Sequence, residues 1–99
     1  MAKESTSTIS KTELMFPARY NVVFVNDDYT PMDFVIQILI EIFNRSINQA
    51  KDITLQIHED GKAVAGTYSH EVAEQKHAES VMISRHHGHP LKIIIEKLQ

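Results

Sequence analysis

At 99 residues the chain is sized for one domain with one core, and 42% hydrophobic and 23% charged residues, with three Gly and three Pro, exclude wholesale disorder and collagen-like structure. The absence of Cys rules out disulfides, thiolate metal sites and a cysteine nucleophile, and is compatible with a cytoplasmic address. Ten basic against thirteen acidic residues give a net charge of -3, the wrong sign for charge-driven nucleic-acid binding. Apolar runs such as Ile38-Leu39-Ile40 and Ile93-Ile94-Ile95 fall far short of the roughly 20 residues a membrane-spanning helix needs.

Residues 1–16 are rich in Ser and Thr, with few large apolar side chains before Leu14. This predicts a flexible tail, taken as 1–18, ahead of a core domain over 19–99. It has no continuous apolar stretch of the kind that marks a secretory signal. Tyr20–Val25 reads as a strand that stops at the polar segment Asn26-Asp27-Asp28-Tyr29. Thr30 can cap the next helix, with Pro31 at its first position and Asp33 favourable to its dipole. Phe34, Val35, Ile38, Leu39 and Ile42 then recur at helical spacing to about Phe43.

Ser46 and Gln49 form a capping-box pattern ahead of Ile47, Ala50, Ile53, Thr54 and Ile57, a second helix that Gly61 ends. Ala63–Tyr68 suits a strand, and Gly66 within it points to close packing. Ser69 can cap a third helix that runs to a stop near Gly88 and Pro90. Leu91–Glu96 closes the chain as a third strand with Leu91, Ile93 and Ile95 on one face. The order β-α-α-β-α-β predicts an α+β fold, a small three-stranded sheet with three helices packed on one face.

The densest polar group is Asn26-Asp27-Asp28-Tyr29-Thr30, between a strand end and a helix start, where loops are accessible but held by rigid neighbours. By itself it fits a solvated turn as well as a binding loop, and two adjacent carboxylates are not an acid/base pair disposed across a substrate. His58 at the end of the second helix suits that helix's dipole. His70 and His77 read as exposed helix residues. His86, His87 and His89 crowd around Gly88 but lack an acidic partner at a recognisable spacing, so no specific metal site is expected. No phosphate loop, dinucleotide fingerprint, nucleophile elbow or zincin motif is present, and no enzymatic activity is expected.

The string Val25-Asn26-Asp27-Asp28-Tyr29-Thr30-Pro31-Met32-Asp33-Phe34-Val35 resembles the signature of the ClpS family, bacterial adaptors of the N-end rule pathway. His58, Gly61-Lys62-Ala63, Gly66, Glu71-Val72-Ala73-Glu74-Gln75-Lys76 and His89-Pro90-Leu91 follow in the family's order, so the match runs from Arg19 to Leu98. The resemblance implies the same β-α-α-β-α-β fold. It also implies a monomeric adaptor without cofactor or metal, which captures proteins with a free α-amino group and a first residue Leu, Phe, Tyr or Trp. The captured protein would be handed to ClpA for degradation by the ClpAP protease.

Carried over, Asn26, Asp28 and His58 would receive the α-amino group, with Asp27 beside them. Phe24, Val25, Thr30, Met32, Val35, Thr54, Ile57 and Leu91 would surround the first side chain, and Glu71 and Lys76 would contact the N-terminal domain of ClpA. Thr54 stands where the family usually has a Met guarding the pocket, which implies a wider rim and relaxed exclusion of Ile and Val N-termini. The alternative is a non-adaptor interaction module resembling the C-terminal domain of ribosomal protein L7/L12, which shares the architecture.

Overall fold

The structure, a computed structural model, describes residues 17–98; the predicted tail lies, but for its last two residues, outside them. The apolar and polar periods recognised along the chain become β1 (Tyr20–Val25), α1 (Met32–Glu41), α2 (Ile47–Asp60), β2 (Lys62–Tyr68), α3 (His70–His86) and β3 (Lys92–Lys97). The sheet order is β2-β1-β3, with β1 antiparallel to both neighbours. Val22 and Phe24 of β1 are fully buried in one core that also takes Leu39 from α1, Ile57 from α2 and Ala73 from α3, so all three helices cover the same face. At the opposite end of β1, the Arg19 carbonyl accepts from the Leu98 amide at 2.8 Å and the Arg19 guanidinium donates to the Thr67 carbonyl at 3.1 Å.

The opposite sheet face has its own closure. Val23 is 1% exposed although it points away from the helices, and its partners in register are Val64 and Ile94. Lys62 sits beside Val25 and Glu96 beside Asn21, so their 3.3 Å ion pair joins the two edge strands diagonally across the row that holds Val23.

Local signals explain most boundaries. Ser46 and Gln49 make both bonds of a capping box, at 3.1 and 3.0 Å, and Gly61 closes α2 in the left-handed region at φ 90°. The helix α1 departs from the sequence expectation at both ends. Pro31 is the residue that caps it and no side chain does so: Thr30 lies one position before the cap, and its hydroxyl donates to Asp27 at 2.9 Å. It stops at Glu41, where Asn44 turns left-handed (φ 55°) and lets the Arg45 amide return to the Leu39 carbonyl at 3.0 Å. In β2, the register slips between Val22↔Gly66 and Val23↔Val64, leaving Ala65 as the extra residue of a bulge. A Cβ on Gly66 would run into the Tyr68 ring, the close packing that this glycine predicted.

His77 corrects a second expectation. It is half-buried, and its Nε2 donates to the Ile93 carbonyl of β3 at 2.8 Å, so it stitches α3 to the edge of the sheet. Among the described residues no helix is long and apolar enough to cross a membrane.

Candidate functional site

The end of β1, the start of α1 and the end of α2 converge on one cavity, and a backbone bond ties the first to the last: the Asn26 amide donates to the Gly61 carbonyl at 2.8 Å. The glycine that stops α2 therefore also anchors the loop after β1, a role that its sequence signal, a helix stop, did not reveal. Within that loop the two adjacent aspartates do different work. Asp27 Oδ1 accepts from the Tyr29 and Thr30 amides, both at 2.7 Å, and Oδ2 accepts from the Thr30 hydroxyl. Burial pushes its carboxyl up, but these donors, aided by the charge of His89, outweigh burial and hold it below the usual 3.8. Asp28 is exposed and makes no side-chain bond among the described residues. One carboxylate shapes the loop, and its neighbour is left open to a ligand.

Between loop and helices lies a cavity of about 260 Å³. Its polar side is made by Asn26, Asp27, Asp28 and His58, and its apolar side by Val25, Thr30, Met32, Val35, Thr54, Ile57 and Leu91. Thr54 is 4% exposed and its hydroxyl is committed to the Ala50 carbonyl at 2.8 Å, so it adds no free polar group to the apolar side. Leu91, 1% exposed, lies just before β3 rather than within it. Met32, also on the lining, is half exposed.

Phe24 is not part of this wall. It is fully buried in the core and packs edge-on against Phe43 with ring centroids 5.3 Å apart, because strand alternation turns it toward the helices, whereas Val25 at the strand end reaches the cavity. Glu71 and Lys76 lie on α3 and do not line the cavity. Glu71 is exposed, whereas Lys76 is half-buried: its ammonium donates to the Ile42 carbonyl at 2.7 Å and sits 5.8 Å from the centre of the Tyr68 ring. That lysine ties α3 to the exit of α1.

Two residues of the histidine tract, exposed His87 and half-buried His89, flank one aromatic ring. His87 and His89 lie 5.4 and 4.5 Å from Phe34 by ring centroid. Among the described residues no group of three or more His, Asp or Glu side chains is arranged to hold a metal ion.

A family description, ATP-dependent Clp protease adaptor protein ClpS, matches residues 16–94. The chain belongs to the ClpS family. It is 49% identical over 88 residues to the ATP-dependent Clp protease adapter protein ClpS of Vibrio atlanticus, which covers 89% of this chain and 83% of that protein. The ClpS of Helicobacter hepaticus is 42% identical over 98 residues, 99% of each chain. Among solved structures, Agrobacterium tumefaciens ClpS2 bound to L-phenylalaninamide superposes with a TM-score of 0.80 at 32% identity, covering 83% of this chain and 99% of that one. The relatives are named as adaptors of a protease, and the architecture expected from the sequence is the one that this family member adopts.

Proposed function

We propose that the chain recognises N-end rule substrates through a free α-amino group and a large hydrophobic first residue (Leu, Phe, Tyr or Trp), and delivers them to ClpA for degradation by ClpAP. The observation that carries this reading is a single cavity whose polar and apolar halves match the two halves of such a residue. At about 260 Å³ it falls just below the roughly 300–1,000 Å³ of small-molecule sites, a size suited to one side chain. Burying a large apolar side chain there contributes about 1.5–3 kcal/mol, enough to favour Phe or Leu over Ala. L-phenylalaninamide, the ligand of the Agrobacterium relative, has both features: an aromatic side chain and a free ammonium.

An ammonium offers three donors and needs acceptors. Asn26, Asp28 and His58 supply an amide oxygen, a carboxylate and an imidazole nitrogen, and charge-assisted bonds of this kind separate a free amine from an internal peptide group. Asp27 holds the loop that presents them. His58 accepts only through an unprotonated ring nitrogen, so His58→Ala should weaken binding of a free-amine peptide. No bond is broken in this process, and the protein acts as an adaptor. Glu71 supplies an exposed charge for the N-terminal domain of ClpA, while Lys76 acts there through the geometry that it imposes on α3.

Fluorescence anisotropy with matched peptides beginning Phe, Ile or Ala, and an N-acetylated Phe peptide, tests the reading. Tight binding of the free-amine Phe peptide alone, or of Phe and Ile, is the expected result. Equal binding of the acetylated peptide would remove the amine site and leave the L7/L12-like interaction module, which rests on architecture alone.

A further inference from the structure

A second cavity of about 230 Å³ lies between α1 and the C-terminal end of α3 and shares no lining residue with the first. Its floor is apolar. Ile38 and Ile42 are 2% and 6% exposed, and half-buried Phe34 and Ile83 complete it. Phe34 lies against the rings of His87 and His89.

The rim consists of three exposed polar side chains, Gln37, Glu41 and His87. Gln37 and Glu41 stand one helical turn apart, and the Gln37 amide nitrogen donates to Glu41 at 3.0 Å, which leaves its own carbonyl oxygen and the remaining carboxylate lone pairs available. His87 Nδ1 lies 3.0 Å from the Ile83 carbonyl. A carbonyl cannot donate, so Nδ1 carries the proton and Nε2 of the neutral ring is an acceptor. Glu41 forms no ion pair among the described residues, whose two ion pairs are Lys62–Glu96 and His70–Glu74. A carboxylate, an amide oxygen and an imidazole nitrogen thus surround an apolar floor, with no resident cation among the described residues to satisfy them.

We infer that this groove is a second binding site for a large apolar residue that carries a primary ammonium. The apolar floor favours a ligand with an apolar body over a small hydrated cation, the carboxylate favours a cationic head over an acidic one, and the three acceptors offer partners to the three donors of an ammonium. The inference stands on this groove's own residues and does not depend on the assignment of the first cavity.

The test is a titration of the isotope-labelled full chain with L-phenylalaninamide, followed by amide NMR shifts. The Gln37, Glu41, Ile83 and His87 amides report on the groove, and those of Asn26 and Thr54 on the first cavity. Saturable shifts at the groove are expected in the wild-type protein and in Asp28→Ala. In Glu41→Gln the groove affinity falls by about tenfold or more, as expected for loss of a bond to a charged group, while the Asn26 and Thr54 curves stay unchanged. N-acetyl-phenylalaninamide, which lacks the ammonium, leaves the groove amides unmoved. The inference is overturned if those amides do not shift in the wild-type protein, if their shifts vanish with those of the first cavity in Asp28→Ala, or if the acetylated probe moves them equally. Failure of the first cavity as an amine site would appear separately, at Asn26 and Thr54.

Discussion

The loop Asn26–Thr30 and the helical wall Thr54–His58 face each other across one cavity, yet they are held in place by different forces. The loop depends on one carboxylate, Asp27, which gathers two amides and a hydroxyl. The wall depends on packing: Ile57 is 5% exposed in the core, and the Thr54 hydroxyl is tied back to its own helix. In the wall, a residue that lines the cavity is also part of the core, so site and stability are inseparable. In the loop they are divided between neighbours, since Asp27 builds the shape and Asp28 is free to bind.

Mutations can break this contrast, and the wall gives the largest effect. Ile57→Ala should destabilise the protein by about 2–5 kcal/mol in chemical denaturation, through lost burial and the cavity left behind. Asp27→Ala should cost about 1–3 kcal/mol because the Thr30 amide and hydroxyl lose their acceptor, and peptide affinity should fall with it. Asp28→Ala should leave the denaturation midpoint within about 0.5 kcal/mol of wild type and yet weaken binding of a Phe-initiated peptide by at least about tenfold, as loss of a charge-assisted bond does. Equal losses of stability in the two aspartate variants would show that the division of labour is wrong.

Acid titration sharpens the same point. Because the carboxyl of folded Asp27 is held below 3.8, its contribution is fully present above that value and is lost as the pH falls through the lower folded value. Wild type should therefore lose stability relative to Asp27→Asn only in that acid range, in denaturation curves collected from neutral pH downward. The smallest change is expected at the rim of the wall. Thr54→Met should leave binding of Phe-initiated peptides nearly intact and reduce binding of Ile- and Val-initiated ones, measured by anisotropy. If Ile and Val peptides bind wild type no better than an Ala peptide does, the wide-rim reading of Thr54 fails.

Much of this architecture could be read from short-range patterns. Ser46 and Gln49 announced the start of α2 and Gly61 its end, because capping and the left-handed turn are local chemistry within a few residues. The NDDYTPM string marked the loop, and His58 lay within reach of it by the resemblance. Long-range partners were not legible. Thr30, a plausible cap for α1 by sequence, donates its hydroxyl to Asp27, and Lys76, which the resemblance placed at a partner contact, reaches the Ile42 carbonyl 34 positions away. His77 likewise finds β3, and the bond from Asn26 to Gly61 joins two segments with no local reason to meet.

The sequence by itself determined the order of elements, their caps and the apolar faces that choose one core, since these follow from periodicities of two and 3.6 residues and from backbone groups that must be satisfied nearby. Only the tertiary structure decided which of two adjacent aspartates is committed and which is free. It also decided that Phe24 belongs to the core while Val25 lines the cavity, and that Gln37, Glu41 and His87 surround a second groove. Those outcomes depend on how strands and helices stack in three dimensions, where side chains distant in sequence compete for the same donors, acceptors and space.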